Sequence, residues 1–250
     1  MSRSADMDTQ QLVAQACPKI GALGSAFYFT PETVGVGKTL GLNGFTFYFA
    51  GRGGVLGDVE SSVIHSAFGY WNPELVAKSW NSALEKIGAR DAGRRYMQCA
   101  HDLGRAKFSG IADLAAFCAA AEAVNDAADP SGLALYAGTA AEPLADDLPA
   151  RAMQLVAVLR EFRGSAHLVA VLASGVDPQV AHFVRRPEMY KTFGWDESQP
   201  PTVTDADRAN IDASDKLTDT MVAKAFGVLD DAGATALLSG LDSIEAALKA

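Results

Sequence analysis

The chain has 250 residues, of which 49% are hydrophobic and 20% charged. That is enough apolar material for a sizeable core and too little charge for a disordered chain. A formal net charge of −9 opposes duplex DNA, which holds its partners largely through cations on phosphates.

Helical periodicity runs through the chain. A first helix is predicted over Thr9–Phe29. Thr30 then caps a second helix, with Pro31 in its first turn. The aromatic run Phe45–Phe49 has strand-like composition, but no second strand is apparent to pair with it, so a buried helix is expected. Gly51-Arg52-Gly53-Gly54 reads as a break where helices approach closely. Helices follow over Val59–Tyr70 and Glu74–Ile87, separated by Asn72 as cap and Pro73 as first-turn residue. Others are expected at Ala92–Lys107, Ala112–Val124 and Gly132–Ala140. The longest apolar helix spans Pro149–Ala173, and another spans Pro178–Thr192. Asp196–Val203, centred on Pro200-Pro201, reads as a linker. Thr204 caps a helix over Asp205–Val228, and Gly233–Lys249 closes the chain. The expected fold class is all-α: a large multi-helix domain over 1–195, then a reduced helical region over 196–250.

Several chemistries are unsupported. Gly35-Val36-Gly37-Lys38-Thr39 looks like the end of a phosphate-binding loop, but Glu32 stands where that motif needs glycine. Gly51–Gly57 lacks dinucleotide-binding spacing. No nucleophile elbow occurs, and His65, His101, His167 and His182 show no metal-ligand spacing. No metal and no cofactor are therefore expected. Arg90, Arg94, Arg95, Arg105 and Lys107 alternate with Glu85, Asp91 and Asp102, as on a solvated face. Cys17, Cys99 and Cys118 sit among apolar residues and read as reduced core thiols, which suits the cytoplasm. The start of the chain, Met1–Gln11, has no apolar signal segment, and no run nears the ~18–20 apolar residues of a membrane span.

One constellation remains. Arg160, Arg163 and His167 are spaced i, i+3 and i+7 on the longest apolar helix and form one stripe. A polar stripe there must face water, a partner or a cavity. Facing a pocket, His167 would move a proton while Arg160 or Arg163 stabilised an oxyanion. Facing water, the arginines would be surface groups and His167 a hydrogen-bonded core residue. Glu161 points about 100° away from Arg160 and is free to pair with a base on a neighbouring helix. Tyr28, Tyr48, Tyr70 and Trp71 carry polar tips on aromatic bodies. Grouped with Arg52 and Asn72, they have the composition of a small-molecule pocket.

At these residues the sequence resembles the SalK-like helix-turn-helix family of actinobacteria. The resemblance is carried by Ala26–Glu32, Leu40–Gly44, Tyr48–Gly57, Asn72-Pro73, Leu159–His167, Gly194-Trp195 and the Asp215–Asp219 region. It implies a winged-helix-like C-terminal part and an association with secondary metabolism. Gly24 and Phe162 depart from the family pattern, which has histidines there, and the segment after Trp195 is short for a recognition unit.

The resulting expectation is a protein that binds, and transforms by cofactor-independent acid–base chemistry, a hydrophobic small molecule. The rivals are a ligand-responsive winged-helix regulator and a noncatalytic scaffold. No specific nucleic acid and no membrane partner are expected. A homodimer through the terminal helices is expected by analogy with winged-helix dimers.

Overall fold

A computed structural model describes residues 8–250; the polar stretch 1–7 lies outside them. Among the described residues there are twelve α-helices, two short 3₁₀ turns and no strand. The helices are α1 (Thr9–Leu23), α2 (Pro31–Thr39), α3 (Gly44–Gly53), α4 (Ser61–Phe68), α5 (Pro73–Leu84) and α6 (Ala89–Phe108). They continue with α7 (Leu114–Ala127), α8 (Ala134–Ala140), α9 (Leu148–Ala173), α10 (Pro178–Arg185), α11 (Asp205–Phe226) and α12 (Asp231–Lys249).

Side-chain oxygens begin most of them. Thr30 accepts from the Thr33 amide, Asn43 from the Thr46 amide and Asn72 from the amides of Glu74 and Leu75. Asp147 caps α9, and Thr204 with Asp207 forms a reciprocal capping box on α11. Each cap satisfies an amide that the helix itself leaves unpaired. The aromatic run over 45–49 is helical, and Phe47, Tyr48 and Phe49 are buried.

Three differences from the sequence reading go beyond shifts of two or three residues at helix ends. The first helix stops at Leu23 rather than Phe29: Ser25 Oγ donates to the Ala22 carbonyl, and the chain turns through 24–29. α10 stops at Arg185 because Pro187 disfavours helical backbone at the residue before it, and Arg186 takes φ −144°, ψ 60°. The glycines at 51 and 53 lie inside α3, and the break falls later, at Gly57, with φ 83°. The expected close approach is nonetheless present. A Cβ on Gly51 would lie 2.2 Å from the Tyr96 ring, and one on Gly54 would lie 2.1 Å from the Ala89 carbonyl oxygen. Residues 35–39, which look like a phosphate loop, are the second half of α2.

α9 is the central element. It packs against α1, α6, α7, α8, α10 and α11. From Ala150 to Leu159 every residue but Arg151 is buried on it, because each side meets another helix. Its second half opens: Arg160, Arg163 and His167 are only partly covered, and Gly164 is exposed. α11 and α12 share the main core with the preceding helices through Val222, Phe226, Leu237, Leu241 and Ile244. The three cysteines are buried and free. No helix among the described residues is long and apolar enough to cross a membrane.

Candidate functional site

The polar residues in the second half of α9 serve two adjoining neighbourhoods. The first is a closed ionic cluster that joins the 24–29 turn, α3 and α9. Arg52, one turn beyond Tyr48 on α3, forks onto Glu161. Its Nε donates to Oε1 at 3.0 Å and its Nη2 to Oε2 at 2.7 Å. Arg52 Nη1 also donates to the Tyr48 hydroxyl. Tyr28 Oη donates to Glu161 Oε1 at 2.7 Å and accepts from Arg160 Nη1 at 2.9 Å. Arg160 Nη1 lies 3.0 Å from the same carboxylate oxygen. Tyr96 closes the inner side by donating to the Tyr28 carbonyl at 3.1 Å. The Arg52 guanidinium also stands over the rings of Tyr28, Tyr48 and Phe68, a cation–π setting for a charge removed from water.

Burial by itself would raise the Glu161 pKa. The charges of Arg52 and Arg160 outweigh it and bring the carboxyl from its ordinary 4.5 down to about 2. Two guanidiniums against one carboxylate leave the cluster with an excess positive charge. The space beside Glu161, Arg52, Tyr28 and Tyr96 is about 20 Å³. That admits one water, far below the several hundred Å³ of a ligand pocket. Arg160 is the cluster member that reaches outward, with 26% of its side chain exposed.

The second neighbourhood lies one to two turns along α9, against α11, α10 and the Gly69-Tyr70 turn. His167 Nδ1 lies 2.9 Å from Thr218 Oγ1. The single hydroxyl proton of Thr218 is directed to the Ser214 carbonyl at 2.7 Å, and a carbonyl can only accept. His167 must therefore donate through Nδ1–H. That tautomer leaves the Nε2 lone pair free, and no described residue hydrogen-bonds to it. Burial lowers the His167 pKa; Asp215 opposes this and Arg163 adds to it. The neutral imidazole is thus favoured at neutral pH. Tyr70 stacks over it with ring centroids 6.3 Å apart. Arg163 Nη2 reaches Asp219 at 3.4 Å, and Arg185 on α10 pairs with Asp212 and Asp215.

The structure thus brings Tyr28, Tyr48, Arg52 and Arg160 together around Glu161, and brings Tyr70 to His167 beside Arg163. Trp71 is buried in a stack with Phe193, centroids 3.8 Å apart, and touches Tyr48. Asn72 caps α5 through Oδ1, and its backbone amide donates to the Phe193 carbonyl at 2.9 Å. Glu161, Thr218, Asp215 and His182 join the site without having been singled out for it. Glu161 had a visible signal, a carboxylate between Arg160 and Phe162 in the middle of the longest apolar helix. The other three arrive from α10 and α11, which no spacing connects to α9.

Among the described residues, buried side-chain polar atoms without a hydrogen bond belong to Tyr70, Arg160, Arg163, Ser165 and His182. Three of these residues are on α9, and Tyr70 and His182 stand against its second half, their rings 6.4 Å apart. Orphaned buried polar atoms are uncommon in folded proteins, and here they gather beside one stripe. A Cβ on Gly164, in the middle of that stripe, would meet nothing within 4 Å.

Neither a curated protein nor a solved structure matches the chain. A helix-turn-helix family profile matches residues 13–250, a span that includes α2 to α12, both neighbourhoods and most of α1. The chain therefore belongs to this helix-turn-helix family.

Proposed function

We propose that the open half of α9 binds a hydrophobic small molecule carrying a carbonyl or oxyanion, and that His167 moves a proton on it. The observation that carries this reading is the gathering of unpartnered polar atoms from Tyr70, Arg160 and Arg163 beside a neutral histidine with a free Nε2. Nε2 has the lone pair a general base needs. Arg160 and Arg163 offer N–H groups and positive charge to a developing oxyanion. The excess positive charge of the buried cluster adds to that field. The resemblance to SalK-like proteins of actinobacteria belongs to the same proposal and points to secondary metabolism as the setting.

The test is deuterium exchange. A panel of hydrophobic ketones, 2-tetralone among them, is incubated with protein in D₂O, and loss of the α-proton is followed by NMR. The wild-type protein should exchange at least one ketone ~10²–10⁴-fold faster than His167→Ala. Equal rates for the two proteins across the panel would remove the catalytic role.

A second reading is favoured by the helix-turn-helix family membership: a ligand-responsive regulator that uses 196–250 as a reduced winged-helix-like and dimer-forming region. Against duplex binding, α11 carries Asp205, Asp207, Asp212, Asp215 and Asp219 beside only Arg208, Lys216 and Lys224. Promoter binding that responds to the ligand would favour the regulator over the enzyme.

A further inference from the structure

A separate groove on the other side of the aromatic cluster has the features of a ligand site in its own right. It holds about 580 Å³ between the start of α3 and the outer face of α5, within the range of small-molecule pockets. Phe29 and Phe45 form one wall, with ring centroids 5.4 Å apart and tilted by 59°. Both are unusually open for phenylalanine, at 47% and 39% exposure. Such paired exposure of aromatic surface is a recurrent mark of binding sites.

The rest of the groove combines Leu75 with the polar side chains of Asn43, Thr46, Ser79 and Ser82 and a single charged one, Lys78. Thr46 and Ser79 line it although their residues are only 7% and 6% exposed. Neither hydroxyl has a hydrogen-bond partner among the described residues, although the Thr46 amide is capped by Asn43. Lys78 stands at the rim, exposed and in no ion pair with a described residue. Gly44 and Phe45 open α3, so their amides have no acceptor within the helix, and the positive end of its dipole faces the groove. No carboxylate lines it.

We infer that this groove binds a planar aromatic carboxylate. Its ring lies against Phe29 and Phe45, and its carboxylate meets Lys78, the first amides of α3 and the hydroxyls of Thr46 and Ser79. An aromatic acid satisfies the apolar wall and the positive floor together. A neutral arene leaves the hydroxyls and Lys78 unanswered, and an inorganic anion leaves the phenylalanines in water. The site is independent of the α9 stripe. Its inner wall nonetheless touches the buried cluster, because Phe29 stacks on Tyr48 at 5.2 Å and Phe45 meets Trp71 at 6.1 Å.

The experiment is calorimetric titration of the full chain with 2-naphthoate, with neutral 2-naphthamide as control. Wild-type protein should bind naphthoate saturably at a site that depends on the groove residues, and should bind naphthamide there roughly tenfold or more weakly. Lys78→Gln and Phe45→Ala should each weaken naphthoate binding by roughly tenfold, the equivalent of one good contact. Arg163→Gln should leave it unchanged. Lys78 is exposed, so its variant tests the groove without disturbing the core. Three results would overturn the inference: no saturable binding, binding unaffected by both groove variants, or binding abolished by Arg163→Gln. The last would place the ligand on α9. Failure of the ketone-exchange test leaves this result standing, so the two readings fall separately.

Discussion

Glu161 concentrates the residue-scale energetics. It accepts from Arg52, Arg160 and Tyr28 in a nearly dry setting. Removing one partner of such a pair leaves uncompensated charge, which costs about 3–5 kcal/mol. Glu161→Gln should lower stability at pH 7 by about that amount in a denaturant melt. Because the folded pKa is depressed from 4.5 to about 2, the contribution is present above pH 4.5 and lost as pH falls toward 2. The gap between wild type and variant should therefore narrow across that window. His182 acts at higher pH. It is buried between Phe193 and Tyr70, with both ring nitrogens unpartnered. Burial, reinforced by Arg186, lowers its pKa from 6.5 to about 4. Its neutral form stabilises the fold above pH 6.5, and that stability is lost as pH falls toward 4. His182→Phe keeps the stacking and breaks no hydrogen bond. Its Tm should match wild type at pH 7 and decline less between pH 6.5 and 4, and an unchanged slope would count against this account. In the sequence, Glu161 is readable as a carboxylate needing a basic partner on a neighbouring helix. Its sharing with Arg160 is not readable, because helical angles place adjacent residues about 100° apart while a long guanidinium stem bends back across that gap.

At the scale of elements, glycine positions separate tight packing from open surface. The Cβ of Gly54→Ala would meet the Ala89 carbonyl oxygen and the Gly93 amide, both backbone atoms that cannot swing aside. The change should destabilise by about 1–3 kcal/mol, as overpacking does. Gly164 is the opposite case, a mid-helix glycine facing open space. Gly164→Ala should stabilise by about 0.5–1 kcal/mol through helix propensity. If the α9 stripe holds the ligand, the same change should also slow ketone exchange. Thermal melts of the two variants should therefore move in opposite directions. The apolar length of α9, the Pro31 and Pro73 starts and the Thr204 cap were all legible, because caps and periodicity are local. The early stop of α10 has a local signal in Pro187, which the expected span to Thr192 ran through, and the turn at 24–29 has none. A run of Ala26, Phe27, Tyr28 and Phe29 suits a helix as well as a turn, and it is the docking of Tyr28 on Glu161 that uses the turn.

For the whole molecule, charge sets the expected behaviour toward nucleic acid. With a net charge of −9 and acidic C-terminal helices, the protein should show no sequence-selective duplex binding in the sub-micromolar range at physiological salt. A fluorescence-anisotropy titration with the upstream DNA of its own gene checks this, and tight selective binding would restore the regulator reading. The sequence by itself determined the all-α class, the order of most helices, the central place of α9 and the presence of a polar stripe on it. Each of these follows from 3.6-residue periodicity and from short-range cap chemistry, which act within one or two turns. Only the tertiary structure decided which way the stripe's members divide. Arg160 turns into the cluster with Tyr28, Arg52 and Glu161, while His167 meets Thr218 from a helix some fifty residues later. It also decided that Tyr28 and Arg52 leave room for about one water beside Glu161, and that the larger aromatic groove lies outside, between Phe45 and Lys78. Those outcomes depend on how helices distant in sequence pack and on where long side chains find partners, and neither is encoded in spacing along the chain.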